Sequence, residues 1–223
     1  MAKNKTGIRI LRLDNKTKPG LMVCALLLSL AVQAGDTLEA IMARMTTAQA
    51  TRIRYQEVRT MALFDRPWRG SGFLYSLPPD VLLKEQIHPY RELMGVVGQR
   101  MYYYQPGQQI RQQAELRVDD TFSLHVAAFK ALLNGDKNSL QRFYRIDVSN
   151  DAGFWHVLLT PRTEAGKKIL LKIEVSGPPD QLADEIRVLQ TDGDKTVYSL
   201  DKAVRNPYIT DAITQLKQEL FGQ

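Results

Sequence analysis

Residues 70–107 read GSGFLYSLPPDVLLKEQIHPYRELMGVVGQRMYYYQPG, and the punctuation of this stretch decides the fold. Pro78-Pro79-Asp80, His88-Pro89 and Pro106-Gly107 are turn sequences, because proline presets one backbone angle while glycine and aspartate tolerate the unusual ones. The runs between them, 70–77, 81–87, 92–97 and 100–104, are rich in β-branched, aliphatic and aromatic residues and are predicted as strands. Strands joined by turns this short pair antiparallel. Phe73, Leu74 and Tyr75 are consecutive, as are Met101, Tyr102, Tyr103 and Tyr104. Side chains alternate across a sheet, so such runs make both faces apolar, and both need covering.

Outward from this stretch the pattern continues. Residues 53–63 read as a strand before it, ended by Asp65-Arg66-Pro67, and 108–113 as one after it. Ahead of these, Leu38, Ile41, Met42 and Met45 recur at helical spacing, with Asp36 placed to cap and Glu39 to reach back. The period then changes at 121–133, where Phe122, Val126, Phe129, Leu132 and Leu133 fall on one helical face between Asp120 and Asn134-Gly135. Leu140, Phe143 and Tyr144 suggest a second short helix. Strands return at 154–160, 168–175, 184–190 and 196–203, and Asn206-Pro207 opens a closing helix carrying Ile209, Ile213, Leu216 and Leu220. The class is therefore α+β, mainly β. One large antiparallel sheet of this size curls, and its concave face is where helices bury their apolar stripes.

The N-terminus is of another kind. Lys3, Lys5, Arg9, Arg12, Lys16 and Lys18 precede an unbroken apolar run, LMVCALLLSLAV at 21–32, and Val32-Gln33-Ala34 supplies a cleavage signature. These are the three parts of a secretory signal peptide, and twelve apolar residues fall short of the roughly 20 that span a bilayer. Cys24 lies near the start of the run, where a lipidated cysteine would follow it. Residues 1–34 are thus expected to be removed, leaving 35–223 as a single domain in the periplasm. The chain has 30 basic and 24 acidic residues; the segment takes six and one, leaving 24 and 23. A mature charge of +1 gives no reason to infer nucleic-acid binding. Cys24 is the only cysteine, so the processed chain holds no disulfide and relies on burial.

Chemistry-bearing patterns are sparse. His88 precedes a proline in a turn, His125 lies in the middle helix, and His156 lies in a strand. No two have metal-ligand spacing, and no serine stands in a Gly-x-Ser-x-Gly elbow. Asp119-Asp120 reads as a helix entry, and Gly70-Ser71-Gly72 lacks the downstream spacing of a phosphate loop. No catalytic residue, metal site or cofactor is expected, and the protein reads as a non-enzyme. Alternation in the strands fits either a core packed by helices or an apolar cavity under a movable helix. Periodicity does not separate the two.

Three motifs bear on that choice. Gly70-Ser71-Gly72-Phe73-Leu74-Tyr75, followed by Pro79, is similar to the G-x-G-x-L-W/Y strand of the periplasmic lipoprotein carriers. Val97-Gly98 through Tyr103-Tyr104-Gln105-Pro106 resembles their D-G-x-x-L-W-x-Y-x-P hairpin. Phe129 and Leu132-Leu133 before Gly135, then Leu140, Tyr144 and Leu158-Leu159-Thr160-Pro161, resemble their lid helix and L-T-P-K strand, with Arg162 at the lysine position. In register over 36–205, they make the chain resemble the LolA family, and more closely a LolA-related branch.

That resemblance implies a half-open barrel, a strongly curved antiparallel sheet with helices on its concave side, holding acyl chains in an apolar cavity. It assigns the cavity wall to Phe73, Tyr75, Leu82, Met101, Tyr103, Trp155, Val157, Leu159, Ile169, Leu171, Ile186 and Val188. The lid falls to Phe122, Val126, Phe129, Leu132 and Leu133. It implies a carrier of an acyl chain, lipid or lipidated cargo, an inner-membrane exporter and an outer-membrane acceptor as partners, and no nucleic acid. A non-enzymatic sensor or protein-binding module on the same fold is the alternative. Two departures bear on the cargo: Pro78 stands where the carriers place a lid-latching arginine, and a helix from 207 to 221 replaces their C-terminal strand. Lys84 replaces an aromatic of the second barrel strand and is placed to meet an anionic head group or solvent.

Overall fold

The computed structural model describes residues 35–46, 48–116 and 121–222. The expected signal segment and the Asp120 cap lie outside the described residues. Ala34–Gln223 packs as one unit that holds every described element.

In chain order the elements are α1 (Leu38–Met45), β1 (Thr51–Thr60), β2 (Trp68–Leu77), β3 (Val81–His88), β4 (Glu92–Val97), β5 (Arg100–Gln105) and β6 (Ile110–Glu115). Then come α2 (Thr121–Asn134), α3 (Lys137–Phe143), β7 (Tyr144–Asp151), β8 (Phe154–Pro161), α4 (Glu164–Lys167), β9 (Leu170–Gly177), β10 (Glu185–Gln190), β11 (Lys195–Leu200), β12 (Val204–Arg205) and α5 (Tyr208–Phe221). The strands form a 12-stranded antiparallel sheet in the order β6-β5-β4-β3-β2-β1-β11-β10-β9-β8-β7, with β12 beside β1. It does not close on itself, and the architecture is the expected half-open barrel.

The topology follows from the turns. Six strands meander outward from β1 to the edge at β6, and five meander back from the other edge at β7 until β11 meets β1. Tyr55 there pairs with Leu200 and Glu57 with Tyr198. The chain must cross from one edge to the other between β6 and β7, and α2 and α3 make that crossing. Their inner faces, with α1, bury Ile41, Met42, Met45, Ala128, Ala131, Leu132 and Leu140 against Ile53, Tyr55, Leu74, Trp155, Val157, Leu159, Ile173 and Ile186.

The opposite face has its own cover. Tyr75, Val81, Leu83 and Leu93 pack there with Ile209, Ile213, Leu216 and Leu220 of α5, and Phe73, Tyr102 and Tyr104 lie against this second cluster. Leu74 and its neighbours Phe73 and Tyr75 therefore serve opposite faces, as consecutive apolar residues require. Helices were expected on the concave side and both faces were expected to need cover; α5 covers the other face. Its C-terminal end is tied down by Arg91, which hydrogen-bonds Glu85 at 3.0 Å and both carboxylate oxygens of Glu219, and by Arg111, which donates to the Glu219 and Leu220 carbonyls.

Several boundaries differ from expectation. Met61, Ala62 and Leu63 fall beyond β1. The cap of α1 is Thr37, whose hydroxyl accepts from the Ala40 N–H at 3.2 Å, while Asp36 pairs with Arg44 at 2.6 Å. Residue 144 opens β7 instead of continuing a helix, and that strand was absent from the sequence reading. The G-S-G motif acquires a physical reason. A side chain at Gly70 would strike the Trp68 indole at 2.3 Å, and one at Gly72 would strike the Glu85 carbonyl oxygen at 1.9 Å. The second clash lies at the point where the β2–β3 register shifts.

Candidate functional site

Beneath α2 the sheet does not fill. A cavity of about 490 Å³ remains between that helix and the inner faces of β1–β5, β10 and β11, within the size range of small-molecule sites. Its roof is Val126, Phe129 and Leu133, spaced to share one face of α2. Leu74, Leu82, Met94, Val96 and Met101 supply the apolar wall. Phe129 meets the Tyr198 ring edge-on, centroids 5.3 Å apart.

One part of the wall is ionic. The Glu57 carboxylate is fully buried and accepts from Lys84 Nζ at 2.6 Å and from Arg59 Nε at 2.5 Å. Burial alone would raise the Glu57 carboxyl, but Lys84 and Arg59 outweigh it and hold the group below its ordinary value. Burial pulls the Lys84 ammonium down, against the attraction of Glu57. The short contact and two cationic partners keep the cluster ionised. Lys84 Nζ also sits 5.2 Å and 5.5 Å from the ring centres of Tyr55 and Tyr198, an added cation–π attraction. Nearby, the Tyr103 hydroxyl donates to Glu92 at 2.8 Å; burial and that carboxylate push it up to about 12. Arg59, Lys84, Glu92 and Tyr103 all reach the cavity.

The expected residues divide. Leu82, Met101, Tyr103 and Val188, with Val126, Phe129 and Leu133 of the helix, surround this cavity. Phe73 and Tyr75 do not: they face α5. Trp155, Val157, Leu159, Ile186 and Leu132 are buried in the core cluster, where residues of α1 and α3 also pack, and none of them lines this cavity. Ile169 and Leu171 are outside, 41% and 54% exposed. A bulge explains this, because Gln190 pairs with Leu170 although Leu189 pairs with Lys172. The extra residue reverses which side chains point inward, so Leu170 is buried at 2%. The side chain of Phe122 lies outside the described residues. Leu74, Met94, Val96, Glu92, Arg59 and Tyr198 were not anticipated. Period-two alternation from Leu82 and Met101 through the paired strands reaches Glu92, Met94 and Val96.

His156 lies on the outer face, 2.7 Å from Asp151. Among the described residues no group of three or more His, Cys, Asp or Glu could hold a metal ion, and no helix is long and apolar enough to cross a membrane.

Comparisons with known proteins bear on the same architecture. No curated protein matches the chain. Among solved structures, a DUF1329 family protein from Desulfovibrio piger aligns at 12% identity and TM-score 0.46, covering 78% of this chain and 93% of its own. An outer membrane lipoprotein-sorting protein domain from Vibrio parahaemolyticus aligns at 12% identity and TM-score 0.45, covering 76% and 92%. A LolA superfamily protein from Nitrosomonas europaea aligns at 9% identity and TM-score 0.43, covering 74% and 90%. The family model described as outer membrane lipoprotein carrier protein LolA-like matches residues 30–217. With that match over most of its length, the chain belongs to the LolA-like family of outer membrane lipoprotein carrier proteins.

Proposed function

We propose that this protein is a periplasmic carrier that holds an acyl chain, lipid or lipidated cargo in the cavity under α2 and moves it between membranes, without catalysing a reaction. The observation that carries the reading is the cavity itself. It is a space of about 490 Å³ with a largely apolar wall, roofed by Val126, Phe129 and Leu133 of α2. The ionic cluster at Glu57, Lys84 and Arg59 offers a polar end group somewhere to lie, which suits an amphiphile better than a pure hydrocarbon. In this reading residues 1–34 are removed on export, so that N-terminal sequencing finds Gly35 first. An inner-membrane exporter then loads the protein and an outer-membrane acceptor unloads it.

Magnitudes restrict the cargo. Each buried methylene contributes about 0.8 kcal/mol, so a sixteen-carbon chain supplies about 13 kcal/mol, against at least about 4 kcal/mol for association. The remainder corresponds to about micromolar affinity. An eight-carbon chain supplies only about 6 kcal/mol, which leaves it weaker than millimolar. Displacement of a fluorescent fatty acid by competitors of increasing length tests this. Sixteen-carbon chains should displace it at micromolar concentration, and eight-carbon chains should fail. No binding at any length, together with tight capture of an envelope protein, would overturn the carrier reading in favour of a protein-binding module.

A further inference from the structure

The hairpin that joins β1 to β2 runs Met61-Ala62-Leu63-Phe64-Asp65-Arg66-Pro67. Leu63 is 93% exposed and Phe64 62%. The Phe64 N–H donates to the Met61 carbonyl at 3.0 Å, closing a turn that presents both side chains at its tip. This tip is continuous with the rim of the cavity, since Thr60 and Met61 line it. The Ala62 N–H donates to Asp194 at 2.9 Å, fixing the tip to the β10–β11 turn; Asp194 and Lys195, which opens β11, line the cavity too.

Behind the apolar pair the composition changes. Arg66 and Arg69 are exposed, and Trp68 lies half-buried with the Arg59 guanidinium 4.5 Å from its ring centre. An apolar tip backed by tryptophan and arginine matches the layering of a bilayer surface. Acyl chains form the bilayer interior, which the apolar tip would reach, and the headgroup interface above them favours indole rings and long cationic side chains. A protein partner fits the tip less well. Two side chains on one turn cover far less than the roughly 1,000 Å² of a specific interface, whereas a bilayer takes up apolar groups without shape complementarity. Asp65 and Asp192 are exposed nearby, so the apolar pair carries the insertion, and Arg66 and Arg69 bias it toward phosphate-bearing lipid.

We propose that the Leu63–Phe64 tip inserts into a phospholipid bilayer and seats the cavity rim on the membrane, so that an acyl chain passes between bilayer and cavity without crossing water. This inference rests on the carrier reading, and the two separate in one set of measurements. A chain beginning at Gly35, which holds every described element, is sedimented with vesicles of phosphatidylethanolamine and phosphatidylglycerol. The parent chain should pellet with the vesicles. Leu63→Asp combined with Phe64→Asp should reduce the pelleted fraction about tenfold or more, since a charge is costly to place in hydrocarbon. Its melting temperature and its fatty-acid binding in solution should be unchanged. Phe64→Trp should retain sedimentation and shift its emission to the blue on adding vesicles. A parent chain that binds fatty acid but never pellets overturns the docking tip and leaves the carrier standing. One that pellets but binds no fatty acid overturns the carrier alone. Equal pelleting of parent and double aspartate variant also overturns the tip.

Discussion

Glu57 is the residue on which the polar part of the cavity turns. Its carboxylate is fully buried and its two partners, Lys84 and Arg59, both reach the cavity. Removing one partner of a buried ion pair costs about 3–5 kcal/mol, because the other charge is left uncompensated, whereas replacing the set by apolar groups is often neutral. Glu57→Leu should therefore lower the melting temperature sharply, and adding Lys84→Met should recover part of the loss. The pH dependence has a definite sign. The folded carboxyl sits below its ordinary value of 4.5, so at pH values near 4.5 the unfolded state binds more protons than the folded one. The contribution of Glu57 is fully present above pH 4.5 and is lost as pH falls through the lower folded value. Melting curves recorded downward from neutral pH should show this loss in the parent protein. In Glu57→Gln that component should be missing.

At the scale of the element, α2 divides its apolar residues between two tasks. Val126, Phe129 and Leu133 face the cavity, whereas Ala128, Ala131 and Leu132 are buried in the core. Phe129→Asp should weaken fatty-acid binding strongly while the melt stays intact, since its carboxylate would face an apolar space that a ligand must fill. Leu132→Asp, in the core, should collapse the melt. Circular dichroism and ligand displacement on the same samples check both. The helix and its stripe were legible from spacing, but the division was not, because one helical face cannot report which of its residues meet side chains and which meet a void. The strand β7 was missed for a local reason: Tyr144, Ile146 and Val148 alternate cleanly, yet the strand begins directly at the end of α3 with no turn residue between. The bulge beside Leu170 left no mark in composition, and it misassigned Ile169 and Leu171.

For the whole molecule, the turns were enough to give the antiparallel order, since each strand pairs with its sequence neighbour except where β11 and β12 meet β1 and where the chain crosses between edges. What the pattern could not supply is which half of the sheet stays unfilled. Trp155, Val157 and Leu159 alternate in the same way as the residues of β3–β5, but they are buried with residues of α1 and α3, whereas the cavity lies against β1–β5, β10 and β11. The face under α5 was misread as cavity wall for the same reason, with Phe73 and Tyr75 on it. On the proposed carrier reading, cargo lies between α2 and the inner faces of β1–β5, β10 and β11. Photocrosslinking with a diazirine-bearing sixteen-carbon fatty acid, followed by peptide mass spectrometry, tests it most directly. Adducts are expected at Leu82, Met94, Met101 and Phe129, and excess unlabelled fatty acid should abolish them. Adducts confined to the α5 face or the outer surface, or none that competition removes, would contradict it.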